Sequence, residues 1–169
     1  LVVTDQGKPP ALRFKDFRLA HRRGGGELTL LESVTLDVPT GGFYLLVGES
    51  GSGKATLLRL LTGLQESREP APKMSGSVEL LGEKIHRRFP ASLHRRVAAV
   101  LQDEGLLDEL SPQQNVELAL ACAGRSRRLA LGLLSQAGLS EPPRQVASLS
   151  GGMRKRVAIA RAMALDPEF

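Results

Sequence analysis

The sequence predicts an α/β fold, and three observations predict it. Residues 12–38 hold two β-rich runs divided by the glycine turn Gly24-Gly25-Gly26. Phe43-Tyr44-Leu45-Leu46-Val47 is a continuous apolar run that feeds at once into Gly48-Glu49-Ser50-Gly51-Ser52-Gly53-Lys54 and then into a helical pattern. From residue 103 onward the periodicity turns helical, and it ends in Leu149-Ser150-Gly151-Gly152-Met153, which opens a basic, alanine-rich helix.

Each element follows from local chemistry. Residues 12–20 and 30–38 alternate as strands do, with Arg22-Arg23 and the glycines as a flexible turn. Pro39-Thr40-Gly41-Gly42 is a second turn. The apolar run at residues 43–47 fits a strand covered on both faces. Residues 55–61 form a helix that Gly63 caps. Residues 65–75 are polar and contain proline, hence loop, and Gly76 to Gly82 bracket a short strand. Val97-Ala98-Ala99-Val100-Leu101 is a second buried-type strand, ending at Gln102. Ser111-Pro112-Gln113-Gln114 is a capping box with proline at the first helical position, starting a helix that runs to about Cys122. A further helix over residues 127–137 stops at Gly138, and Glu141-Pro142-Pro143 leads to the second glycine motif.

Two stretches carry chemistry. A strand, the pattern G-x-x-x-x-G-K and a helix, in that order, make a phosphate-binding loop: the glycines let successive N–H groups face a phosphate, and Lys54 adds a mobile positive charge. The position after that lysine ordinarily carries a hydroxyl that ligates Mg²⁺, and here it is Ala55. Thr56 lies about 100° further round the helix and does not replace it. The expected consequence is a site that binds a nucleotide's phosphates but holds Mg²⁺ less well and turns over slowly. Ser150, Gly151 and Gly152 likewise aim a hydroxyl and N–H groups from a helix start at an anion. One such loop would suffice for a nucleotide, so two imply a nucleotide shared between two copies.

These motifs together resemble the ATP-binding cassette (ABC) family of ATPases, over residues 12–169. The resemblance implies a P-loop cassette: an N-terminal β-rich subdomain, a mainly parallel core sheet, here incomplete, and an inserted α-helical subdomain. Residues 1–169 would be a single partial domain, with 12–102 the β-rich and P-loop core, 103–148 the helical subdomain and 149–169 the signature motif and its helix. Gly48 to Thr56, with Ser50, Gly51, Ser52, Gly53 and Lys54 between them, match Walker A except at Ala55, and Thr56 matches a residue that contacts the α-phosphate. Gln102 matches the Q-loop glutamine, which in the family contacts Mg²⁺ or the attacking water. His21 stands where the family usually places an aromatic ring on adenine; the other reading is a solvated residue beside Arg22. Leu149 to Met153 match the signature LSGGQ, whose Ser150 and Gly152 meet the γ-phosphate held by the opposite subunit. Met153 replaces the usual Gln, which looks like the Mce/Mla-type lipid branch or is a neutral exchange. The cofactors implied are ATP and Mg²⁺. The partners implied are a second nucleotide-binding subunit, head to tail, and a transmembrane permease, with the cassette peripheral on the cytoplasmic face of the membrane.

Composition bounds this reading. At 169 residues, 41% hydrophobic and 24% charged, the chain suits one soluble core with an attached lobe. Its apolar runs are far shorter than a membrane span, no charged-then-apolar secretory segment is visible, and the single Cys122 fits a reducing compartment. The net charge of +5 is dispersed in short clusters, and with 4% aromatic residues and no Trp it points to solvated faces and helix ends rather than a nucleic-acid surface. The chain begins at Leu1 and stops at Phe169, before the strand ending in Asp-Glu (Walker B) that the resemblance places next. We therefore expect a fragment that folds marginally by itself and lacks the catalytic Glu; Glu168 is too early for that role. Three functions follow: the ATP-hydrolysing subunit of a membrane transporter, a degenerate nucleotide-binding module, or a soluble ABC ATPase acting on DNA or ribosomes. Only the basic charge supports the third.

Overall fold

The computed structural model describes residues 9–23, 26–64, 72–86, 88–102 and 105–169. The expected turn at Gly24-Gly25 and the loop over 65–71 lie outside the described residues. The chain divides into two units, Leu1–His94 and Arg95–Phe169.

In the first unit β1 (Leu12–Arg23), β2 (Gly26–Val38), β3 (Lys73–Leu80) and β4 (Glu83–Lys84) form an antiparallel sheet in the order β2-β1-β3-β4. Leu12 and Phe14 are buried and Arg13 exposed, as a period of two demands. Lys15 and Asp16 are then both exposed before Phe17 and Leu19 turn inward. A bulge resets the alternation: Phe14 pairs with Leu36 and Phe17 with Val34, so β1 spends one more residue than its partner. Asp16 sits at φ 44° and its N–H donates to Thr35 Oγ1 at 3.0 Å. Gly76, at φ 73°, passes so close to the Asp16 carbonyl that a Cβ there would overlap it. This pairing explains why β3 starts at Lys73, before the glycine from which the sequence predicts it: Lys73 lies opposite Ala20. Ion pairs lace the solvent face. Arg13 grips Asp37 through two bonds of 3.0 and 3.1 Å, and Glu27 accepts from Lys73 at 2.6 Å and Arg18 at 2.8 Å. Lys73 first, then Arg18, hold the Glu27 carboxyl below its ordinary range, and Arg13 does the same to Asp37.

The helix after the glycine loop, α1 (Lys54–Thr62), buries Leu57, Leu60 and Leu61, the i, i+3, i+4 stripe of an amphipathic helix. It ends at Gly63, whose N–H donates to Leu60 O while Leu64 N–H donates to Arg59 O at 3.0 Å.

The two apolar runs that the sequence predicts as buried strands are not strands here. Residues 43–47 pair with no described strand, and Phe43 is 95% and Val47 77% exposed. A doubly covered strand draws its stability from ladders on both sides, and no described segment supplies one. Residues 97–101 likewise carry no strand, although Val97 is buried. One parallel rung does form beside them: Phe169 N–H donates to Arg96 O at 3.0 Å, and Ala98 N–H donates to Phe169 O at 2.9 Å. Arg96 also clasps Glu168 at 2.7 and 3.1 Å, holding that carboxyl below its ordinary range.

The second unit is helical. Ser111 and Gln114 complete both halves of the predicted capping box, at 3.1 and 2.8 Å, and α2 runs Pro112–Cys122. A 3₁₀ turn, Arg127–Leu129, leads into α3 (Ala130–Gln136), so the expected helix over 127–137 is tighter in its first turn. Another 3₁₀ turn, Val146–Ser148, precedes α4 (Gly151–Met163). Val116, Leu120, Leu134, Val146 and Val157 are fully buried in the cluster that joins these helices. Among the described residues no helix is long and apolar enough to cross a membrane.

Candidate functional site

The glycine loop begins where the exposed run 43–47 ends. Ser52 N–H donates to Glu49 O at 3.2 Å, closing the turn. Gly53 then adopts φ 92° against Leu30, a left-handed conformation that a side chain would strain twice over, through its backbone and through that contact. From there α1 starts without a side-chain cap and without an acidic residue in its first turn. The N–H groups of Lys54, Ala55 and Thr56 accordingly have no intrahelical acceptor and carry the positive end of the helix dipole. Lys54 curls back over the loop, its Nζ donating to Gly48 O at 2.7 Å, Glu49 O at 2.6 Å and Ser52 Oγ at 3.2 Å. Cation and N–H groups are thus gathered on one loop, an arrangement suited to a polyphosphate. Ser50, Gly51 and Ser52 are exposed on it.

Ala55, on the first turn of α1, presents an exposed methyl group; Thr56 is half-buried one residue on. The divalent ion implied by the resemblance needs oxygen ligands, and the residues here do not fit it: the hydroxyl is missing. Among the described residues no three His, Cys, Asp or Glu side chains gather to compensate.

The second motif stands in the other unit. Ser150 is the N-cap of α4: its Oγ accepts from Met153 N–H at 3.3 Å, and its carbonyl accepts from Arg154 N–H at 2.9 Å. Gly151 and Gly152 are exposed, and a Cβ on either would meet nothing within 4 Å. Met153 is half-buried against the helical core, so an apolar side chain at that position is used in packing. Three of the arginines that follow are committed locally. Arg154 pairs with Asp108 at 3.1 Å, Arg156 donates to Gly138 O at 2.8 Å, and Arg161 donates to Gly105 O at 2.5 Å. Arg125 holds the far end of α4 through Met163 O and Ala164 O at 3.3 and 3.0 Å.

The remaining predicted residues are placed as follows. Gln102 is exposed, beyond residues 97–101 and in the same unit as Ser150. His21 is half-buried on β1 opposite Leu28, in the same unit as the glycine loop. Asn115 is not singled out by sequence, yet among the described residues it is the buried polar residue of the helical unit, 2% exposed. Its Nδ2 donates to Leu107 O, Leu110 O and Ser111 O, and its Oδ1 accepts from Leu107 N–H at 3.0 Å. An asparagine directly before Val116 on an apolar helix face was the signal available.

A family profile described as ABC transporter matches residues 31–169. The chain belongs to the ABC transporter family. Both glycine motifs and Gln102 fall inside that match, and His21 falls outside it. The bicarbonate transport ATP-binding protein CmpD of Synechococcus elongatus is 33% identical, over 99% of this chain and 59% of its own length. The taurine import ATP-binding protein TauB of Sinorhizobium fredii is 41% identical, over 89% of this chain and 54% of its own. The chain therefore spans somewhat over half the length of these curated relatives. Among solved structures, a dimeric ATP-binding cassette in a post-hydrolysis state bound to ADP and Pi superposes with a TM-score of 0.77, at 30% identity, over 92% of this chain and 70% of that one. The ABC cassette fold, α/β with a β-rich N-terminal part, is thereby established for this chain.

Proposed function

We propose that this chain is the ATP-binding and, in its complete form, ATP-hydrolysing subunit of a membrane ABC transporter. The observation that carries the proposal is the uncapped start of α1, with Lys54 bonded across the loop that leads to it. The phosphates of ATP displace Lys54 from the carbonyls of Gly48 and Glu49 and take the N–H groups of Gly51 and of Gly53 to Thr56 as donors. Ser150, Gly151 and Gly152, held ready by the Ser150 cap, meet the γ-phosphate of a nucleotide bound by a second copy. Closure of two copies on two nucleotides then drives a transmembrane permease, and the cassette works peripherally at the cytoplasmic face. That relatives are named for bicarbonate transport and taurine import, and that a like cassette is dimeric with ADP and Pi, supports this reading.

Gln102 is proposed as the family's Q-loop glutamine, reaching the attacking water, and His21 as the residue beside adenine. Residues 1–169 act as one partial cassette within that scheme. No step here runs through a metal. Ala55 favours one second reading, a module that binds nucleotide and turns it over little or not at all.

The test is cross-linking between copies. In a Cys122→Ser background, to remove the exposed native thiol, Ser52→Cys and Ser150→Cys are combined in one chain. ATP should promote an intermolecular disulfide; formation that ignores ATP would remove the shared-nucleotide dimer.

A further inference from the structure

We propose that Ala55 makes nucleotide binding by this loop independent of Mg²⁺: the chain takes free ATP and its Mg²⁺ complex alike, with no gain in affinity from the metal. The proposal rests on the reading of residues 48–56 as an ATP site and deepens it.

Mg²⁺ requires a near-ideal octahedron of oxygens, and a nucleotide site gains affinity from it when the protein supplies an oxygen next to those of the phosphates. In loops of this pattern that oxygen is the hydroxyl following the lysine. The methyl group of Ala55 supplies nothing, and it lies exposed on the first turn of α1. Neighbouring oxygens are ill placed or engaged. Ser52 Oγ accepts from Lys54 Nζ at 3.2 Å, and Thr56 is half-buried, about 100° further round the helix. The Glu49 carboxylate is a lone acidic group in the loop, and no triad of acidic, His or Cys side chains forms among the described residues.

Positive potential is nevertheless present without a metal. The first turn of α1 holds no acidic residue, three N–H groups point outward there, and the Lys54 ammonium lies within the loop on three oxygens. Lys54 needs only to exchange the two carbonyls for phosphate oxygens. Neutralisation by lysine and helix start replaces neutralisation by a metal held on the protein.

The test is a binding titration of the full chain with ATP, in EDTA and in excess Mg²⁺, for the wild type, Ala55→Ser and Lys54→Ala. The wild-type Kd should agree within about threefold between the two conditions. Ala55→Ser is a conservative exchange on an exposed turn, and its affinity should rise about tenfold on adding Mg²⁺, the scale on which metal-site groups act. Tightening of the wild type by Mg²⁺ to the same degree as Ala55→Ser would overturn the proposal while leaving the ATP site intact. Absence of ATP binding in both conditions, or binding unchanged by Lys54→Ala, would overturn the ATP site itself and this proposal with it.

Discussion

The glycine loop and the signature helix both point a helix start at an anion, but they stand on unlike supports. The signature helix is secured along its length: Ser150 caps its start, Val157 and Ala160 are buried along one face, and Arg125 holds its end. All of these partners come from its own unit. The glycine loop instead hangs between α1, which is well packed, and residues 43–47, which pair with no described strand. Among the described residues, the bonds across it are the Ser52 N–H to Glu49 O turn bond and those of Lys54, the residue that a phosphate would take away. One motif is therefore rigid before any ligand arrives, and the other gives up internal bonds to bind one.

That contrast can be broken in graded steps. The largest effect belongs to the loop: Lys54→Ala should weaken ATP binding about a hundredfold, the worth of a charge-assisted contact to phosphate, while chemical denaturation of the helical unit stays unchanged. A shared loss of binding and of helical-unit stability would dissolve the distinction. Next comes the helical unit. Asn115→Ala removes every side-chain bond to Leu107, Leu110 and Ser111, leaves the part-buried Leu107 N–H without its acceptor and empties the buried space of the amide. It should cost about 2–3 kcal/mol in urea unfolding, with ATP affinity retained where the chain is folded. A cost below about 0.5 kcal/mol, the size of an ordinary surface substitution, would mean that water readily replaces the asparagine.

Ser150→Ala should cost about 1 kcal/mol through the lost cap, read as faster amide exchange confined to the first turn of α4. Uniform exchange across the helix would contradict the capping role. The smallest effect lies on the sheet face. Lys73 and Arg18 lower the pKa of Glu27 in the folded state. Its contribution is therefore present above the unfolded carboxylate pKa and lost as pH falls through the lower folded value. Glu27→Gln should melt slightly lower than wild type at neutral pH and equal to it in strong acid. A deficit that persists in acid would assign the effect to packing instead.

What could be read from sequence divides along the same line. The capping box at Ser111, the cap at Gly63, the end of α2 near Cys122 and the opening of α4 at Ser150 depend on neighbours a few residues away, and each stands where it was expected. The bulge at Asp16 and the early start of β3 depend on cross-strand register, which composition does not reveal. Residues 43–47 and 97–101 have the composition of buried strands, but strand formation is a property of the ladder rather than of the run itself. The single parallel rung between Val97 and Phe169 shows the pairing where a partner exists. The glycine loop, Lys54 and Ala55 were legible in full as a motif. The grip of Lys54 on Gly48 O and Glu49 O was not, because the pattern specifies the phosphate as its partner.

The central claim is that the loop exchanges internal bonds for phosphate while the signature helix is already set. Amide hydrogen exchange of the full chain with and without ATP tests it most directly. The account predicts strong added protection over residues 48–57, with the core of α4 protected equally in both conditions. Unchanged exchange at 48–57, or a large ATP-induced gain within α4 of a chain kept monomeric, would contradict it.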